Sequence, residues 1–189
     1  MTRPRALLLY LAIASSVVVV DLWTKHAVFQ LLKAEFVEGI DGFTLNRSGP
    51  QIEIIPGKLA LEAAINPGAF NGMFAGVSWL LLGVSAAWVL GTLVFVACYP
   101  AQPLLLVAVS LTAGGAFGNL YDRICFGAVR DFVKIYHGQW VWPNFNIADS
   151  CICVGVGLII LREFLLARQV KRAADPDPTA PKAAVEETP

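Results

Sequence analysis

Few of the 189 residues carry charge: Asp, Glu, Lys and Arg make up 15% of the chain, and the formal net charge is zero. A soluble domain of this size has about 25% charged and about 45–50% apolar residues. Here 57% are hydrophobic and the mean hydropathy is +0.64, which points to membrane. The even balance of acid and base gives no ground for a nucleic-acid partner. Cysteine motifs are missing. Cys98, Cys125, Cys151 and Cys153 form no CxxC or Cys/His spacing, so neither a zinc site nor a disulfide framework is expected. Cys98, Cys151 and Cys153 read as small apolar residues in lipid. The sequence holds two histidines and no HExxH, so no metal site is expected.

What is there is long apolar runs. A membrane-spanning helix needs roughly 20 mostly apolar residues. Four stretches meet this, at about 6–29, 77–99, 104–120 and 149–166. The first follows Arg3 and Arg5 as a secretory signal would, but Val17–Val20 and Asp21 stand where a small-residue cleavage site belongs, so it reads as a retained span. Basic residues gather at Arg3 and Arg5 and again at Arg162, Arg168, Lys171 and Arg172. Such clusters mark cytoplasmic ends. Both termini are therefore expected in the cytoplasm, with segments 33–76 and 121–148 on the outer side.

Those outer segments carry structure of their own. "KLALEAAI" alternates, with Leu59, Leu61, Ala63 and Ile65 on one side, and predicts a strand that "QIEII" can pair with. The stretch 132–145, "FVKIYHGQWVWPNF", is rich in aromatics as interfacial belts are, and reads as a surface helix followed by a loop. The expected fold is thus mainly α: four transmembrane helices, a small extracytoplasmic β-sheet and an interfacial helix or loop, as one domain over 1–172. Residues 173–189, rich in Pro, Ala and charge, are expected to be a disordered cytoplasmic tail.

A charge at mid-bilayer costs about 2.5–3.5 kcal/mol on insertion scales, so each ionisable group in a span is a site candidate. Asp21 and Lys25 share one helix face, Asp122 and Arg123 lie just past the third span, Asp131 follows a turn at Gly127, and Asp149 opens the fourth. With Asn66, Asn119 and Asn146 they converge near one membrane surface. Plainer readings exist. Asp21–Lys25 is an ion pair that eases insertion, Asp122–Arg123 an interfacial pair reaching water, Asp149 a helix N-cap, and the asparagines turn residues. Gly114, Gly115 and Gly118 suit close helix packing. Asp131, between Arg130 and Phe132, has the weakest structural account. Two carboxylates brought together in an apolar site share one proton. One can then take a proton from water while the other gives one to a peptide carbonyl, and no cofactor is needed. A proton-coupled transporter would place its acids at mid-bilayer on repeated halves, and no internal repeat is seen. A scaffold would use the acids only to pair arginines. The GxGD signature of presenilin-like proteases is absent.

"DLWTK" (21–25), "NPGAF" (66–70), "GGAFGNLYDRICFGAVRDF" (114–132) and "WPNFNIADSCICVG" (142–155), in this order and on these spans, resemble the lipoprotein signal peptidase (signal peptidase II) family over roughly residues 6–167. The resemblance implies an aspartic endopeptidase of the inner (cytoplasmic) membrane, multi-pass and monomeric, with its site near the extracytoplasmic surface. Its substrates are diacylglyceryl-prolipoproteins, cut before the lipidated cysteine, and membrane lipid is the other partner. It maps the catalytic pair to Asp131 and Asp149, substrate-positioning residues to Asn66, Asn119, Asp122, Arg123 and Asn146, and a structural motif to Asp21 and Lys25. Two departures stand out. Many members read N-x-G-A-A-F where this chain has Phe70 one place earlier, followed by Asn71, and segment 46–58 is longer than usual.

Overall fold

The computed structural model describes residues 2–34, 37–39, 42–44, 51–69, 73, 77–99 and 102–174. Four helices form its body: α1 Arg3–Leu31, α2 Ser78–Cys98, α3 Pro103–Phe126 and α4 Ile147–Ala174. All four are long and apolar enough to cross a membrane. In lipid a backbone must satisfy its own hydrogen bonds, which is why such runs fold as helices. Proline in the first turn starts α1 and α3, where its missing N–H is no loss.

Helix α3 sits at the centre. In its most apolar stretch 61% of residues are buried, against 22%, 11% and 6% for α1, α2 and α4. It touches each of the other three helices. Near one end of the bundle Ala6, Tyr10, Val96, Leu106, Val109 and Ala113 pack together. Polar groups between the helices are matched there: the Tyr10 and Thr92 hydroxyls meet at 2.9 Å, and the Trp88 indole N–H donates to Thr112 Oγ1 at 3.1 Å.

A four-stranded antiparallel sheet covers the other end, in the order β3 (Gln51–Ile55), β4 (Leu59–Asn66), β5 (Val129–His137) and β6 (Trp140–Val141). A separate short hairpin pairs β1 (Val37–Gly39) with β2 (Gly42–Thr44). The sheet rests on the end of α1 through Phe29, Leu32, Ala63 and Phe132. "QIEII" and "KLALEAAI" pair as the alternation predicts, Ile52 opposite Leu61.

Three expectations are corrected. Residues 132–137 and 140–141 are strand, not surface helix: β5 completes the open edge of β4, and the turn at Gly138 (φ 58°) leads straight into β6. Val133, Ile135 and the two-residue loop between His137 and Trp140 are the hairpin signal; only the aromatic belt suggested otherwise. The third helix does not stop at Leu120 but runs to Phe126, so Asp122 and Arg123 lie inside it. It ends where Gly127 adopts the left-handed conformation (φ 73°) that favours glycine at a helix C-terminus. At the fourth helix, Ala173 and Ala174 still belong to α4. The rest of the expected tail, Phe70, Asn71 and residues 46–50 lie outside the described residues.

Candidate active site

Side chains alternate faces along a strand. On β5 this sends the neighbours Arg130 and Asp131 opposite ways. Arg130 turns toward α3 and grips Asp122, Nη2 to Oδ1 at 2.7 Å and Nε to the same oxygen at 3.2 Å. Asp131 turns the other way, toward Asn66 and the start of α4. The pairing that adjacency implied, Asp122 with Arg123, does not form.

Beneath Asp131 lies a buried ionic cluster. Lys25 Nζ is 2.7 Å from Asp21 and 3.2 Å from Asp122, with all three side chains fully buried. Two cations, Lys25 and Arg130, offset two carboxylates. A buried pair stripped of one partner typically loses about 3–5 kcal/mol, so the members stand or fall together. The cluster also orients the site. Lys25 can only donate, and it donates to Asn119 Oδ1 at 3.0 Å. That leaves the Asn119 amide nitrogen to face Asp149 Oδ1, at 2.8 Å.

The start of α4 fixes the second carboxylate. Asn146 and Asp149 form a reciprocal cap: Asp149 N–H donates to Asn146 Oδ1 at 2.9 Å, and Asn146 N–H donates to Asp149 Oδ2 at 3.2 Å. The expectation that Asp149 itself is the N-cap is therefore shifted three residues, to Asn146. Asp21 accepts the N–H of Ala148 at 2.9 Å, so a carboxylate from α1 serves another free donor at this helix start. With its oxygen committed, the Asn146 amide nitrogen donates to Asp131 Oδ1 at 2.8 Å. Asn146 thus hydrogen-bonds to both Asp131 and Asp149. Asn66, at the end of β4, donates to the other oxygen of Asp131 at 3.1 Å and holds the following loop through Gly68 N–H and Ala69 O.

The carboxyl of Asp131 is pushed up to about 7, first by burial and then by the nearby charge of Asp149; Asn66, Lys25 and Asn146 pull it back. A proton shared between two acids needs this environment. Asp149 lines a cavity of about 500 Å³ bounded by α2, α3 and α4, and Asp131 lines an adjoining one of about 490 Å³. Asn66, Trp142, Pro143 and Asn144 border both. Arg123 lines the first and ties its rim, donating to Gly68 O at 2.9 Å. The residues singled out in the sequence therefore meet in one place. Arg130 and the stretch 142–144 were missed, though strand alternation through "AVRDF" would have found Arg130. Among the described residues no group of His, Cys, Asp and Glu has a metal-binding arrangement.

The family model described as signal peptidase (SPase) II matches residues 13–165. A lipoprotein signal peptidase of Syntrophotalea carbinolica is 37% identical over 158 residues, covering 82% of this chain and 89% of that protein. Another from Symbiobacterium thermophilum is 43% identical over 120 residues, 63% of this chain and 79% of that one. A solved bacterial membrane enzyme, determined in meso at 2.3 Å, is similar with a TM-score of 0.67 and 26% identity, covering 92% of this chain and 94% of that one.

Proposed function

The chain belongs to the signal peptidase II family, a family of membrane peptidases, and from that premise we propose that it cleaves lipoprotein precursors with Asp131 and Asp149 as the catalytic pair. The observation that carries this reading is Asn146 donating to both carboxylates, with burial and the neighbouring charge holding a proton on Asp131. Asp149 takes a proton from water as the water oxygen attacks the scissile carbonyl. Asp131 gives its proton to the carbonyl oxygen. The diol intermediate then collapses: the C–N bond breaks as the proton held by Asp149 passes to the leaving nitrogen, and one diol hydroxyl returns its proton to Asp131 as the C=O re-forms. The products are a signal peptide with a free carboxylate and a lipoprotein with a new amino terminus.

The substrate is a diacylglyceryl-modified precursor, cut before its lipidated cysteine. Both aspartates sit at the end of the bundle opposite Arg3, Arg5, Lys171 and Arg172, and those basic ends belong in the cytoplasm. The site then lies at the outer surface of the inner membrane, at the depth where a lipid-anchored cysteine rests. The apolar cavity between α2, α3 and α4 receives the signal helix, Asn66, Asn119 and Arg123 position the peptide, and Asp21, Lys25 and Asp122 hold the frame. The enzyme works as a monomer.

The test is cleavage of a diacylglyceryl-modified precursor by purified protein, with an unlipidated peptide as control. Wild type is expected to cut only the lipidated substrate. Asp131→Asn and Asp149→Asn, each folded, are expected to lose about 10²- to 10⁴-fold in rate, the usual contribution of a general acid or base. Near-normal cleavage by either variant overturns the pair.

A further inference from the structure

On the face of β5 away from the dyad lies a separate cavity of about 450 Å³, bordered among the described residues by His26, Phe29, Gln30, Lys33, Phe126 and Arg130 with Ala34. None of these is acidic. The buried quartet of Asp21, Lys25, Asp122 and Arg130 is internally balanced, so among the described residues Lys33 gives the cavity a net positive charge. Arg130 presents one more donor edge. Its Nε and Nη2 are engaged by Asp122, while Nη1 makes no hydrogen bond among the described residues, and the guanidinium is stacked 4.3 Å above the Phe126 ring.

Lys33 is held there against backbone preference. It is the one described non-glycine residue with positive φ, 49°. The end of α1 closes as a Schellman motif, Ala34 N–H to Phe29 O and Lys33 N–H to Gln30 O, both at 3.0 Å. Glycine is the usual occupant of the Lys33 position in this motif. The motif occupies the Phe29 and Gln30 carbonyls, and the Leu32 N–H occupies that of Val28. A lysine in a left-handed cap and an arginine edge over an aromatic ring, lining one cavity at the end of a membrane span, have the chemistry of a phosphate site with one apolar side.

We infer that this cavity binds the phosphodiester headgroup of an anionic phospholipid, between the end of α1 and the start of β5. The binding is independent of the catalytic reading, because it requires only the membrane spans and the His26–Lys33–Arg130 cavity.

The test is native mass spectrometry of the full-length protein titrated with phosphatidylglycerol or phosphatidylcholine. Wild type is expected to retain phosphatidylglycerol in preference. Lys33→Gly is expected to retain it about fivefold less, the usual effect of one basic residue near an anionic lipid, with phosphatidylcholine unchanged. Because glycine suits the left-handed backbone, this variant is expected to melt no lower than wild type, so weaker binding cannot be ascribed to unfolding. Lys58→Gln, in the exposed turn between β3 and β4 and outside the cavity, is expected to bind as wild type does. Equal retention of the two lipids, or undiminished retention by Lys33→Gly, overturns the site. Displacement of phosphatidylglycerol by millimolar inorganic phosphate overturns the lipid assignment in favour of a free anion.

Discussion

Asp122 and Asp131 look equivalent in the sequence, each beside an arginine, and the folded chain separates them completely. Asp122 is locked between Lys25 and Arg130, while Asp131 receives only amide donors, from Asn66 and Asn146. Burial, and after it the nearby charge of Asp149, outweighs those amide donors and favours the protonated form of Asp131. With its carboxyl raised from 3.8 to about 7, Asp131 binds a proton in the folded state that the unfolded chain has already released. Its contribution to stability is thus fully present below about pH 4 and is lost as pH rises through 7. Two outcomes are expected. Cleavage by wild type falls as pH rises above about 7, as the proton needed on Asp131 is lost. The melting temperature of Asp131→Asn is flatter than that of wild type between pH 4 and 7. A pH–rate profile and a pair of melting series check them. The candidate acids were legible one by one because charge is costly in an apolar chain. Their pairing was not, because it depends on which face of β5 each side chain leaves.

At the scale of elements, the start of α4 is where the structure converges. Asp21 from α1, Asn119 from α3 and Asp131 from β5 all reach it through the hydrogen bonds given above. Such convergence requires the helices to approach closely, and Gly118 permits it. A Cβ at this position would run into the Asp21 carboxylate and also meet the Cβ of Ala148 at 3.5 Å. Gly118→Val is therefore expected to push Asp21 away from Lys25 and the Ala148 N–H. The expected loss is about 3–5 kcal/mol, that of breaking a buried pair, seen as a marked drop in melting temperature and in cleavage. Gly83→Ala, where nothing lies within 4 Å, is the control and is expected to melt no lower than wild type, since alanine in a helix interior is about 0.5–1 kcal/mol better than glycine. The sequence showed small residues on α3 but not which glycine faces which helix. It also placed an aromatic surface helix at 132–145. Aromatic content reports an interfacial location, whereas strand formation there depends on β4 offering an open edge.

At the scale of the whole molecule, the four helices place the termini-proximal basic residues at one end and the sheet with both aspartates at the other. Arg162 reaching Gln102 at 3.1 Å ties α4 to the start of α3 at the basic end. In the proposed orientation the sheet faces outward. A variant with its four cysteines replaced by alanine and Glu53→Cys added is expected to react with a membrane-impermeant thiol reagent in intact cells. The same background with Gln102→Cys is expected to react only after the cells are opened. The reverse pattern overturns the orientation.

Taken by itself, the sequence determined the number of membrane helices, the pairing of two strands and the family resemblance, because these rest on apolar length, alternation and local motifs that need no distant partner. Only the tertiary structure decided that Asp122 belongs to Arg130 rather than Arg123, that α3 carries Asp122 and Arg123 within its last turns, and that Asn146 caps α4 while hydrogen-bonding to both aspartates. The Asp122–Arg130 and Asp131–Asn146 contacts each join two different elements, although the partners are only eight and fifteen residues apart. Such contacts depend on how a strand face, a helix end and a glycine meet, and no local pattern encodes that meeting.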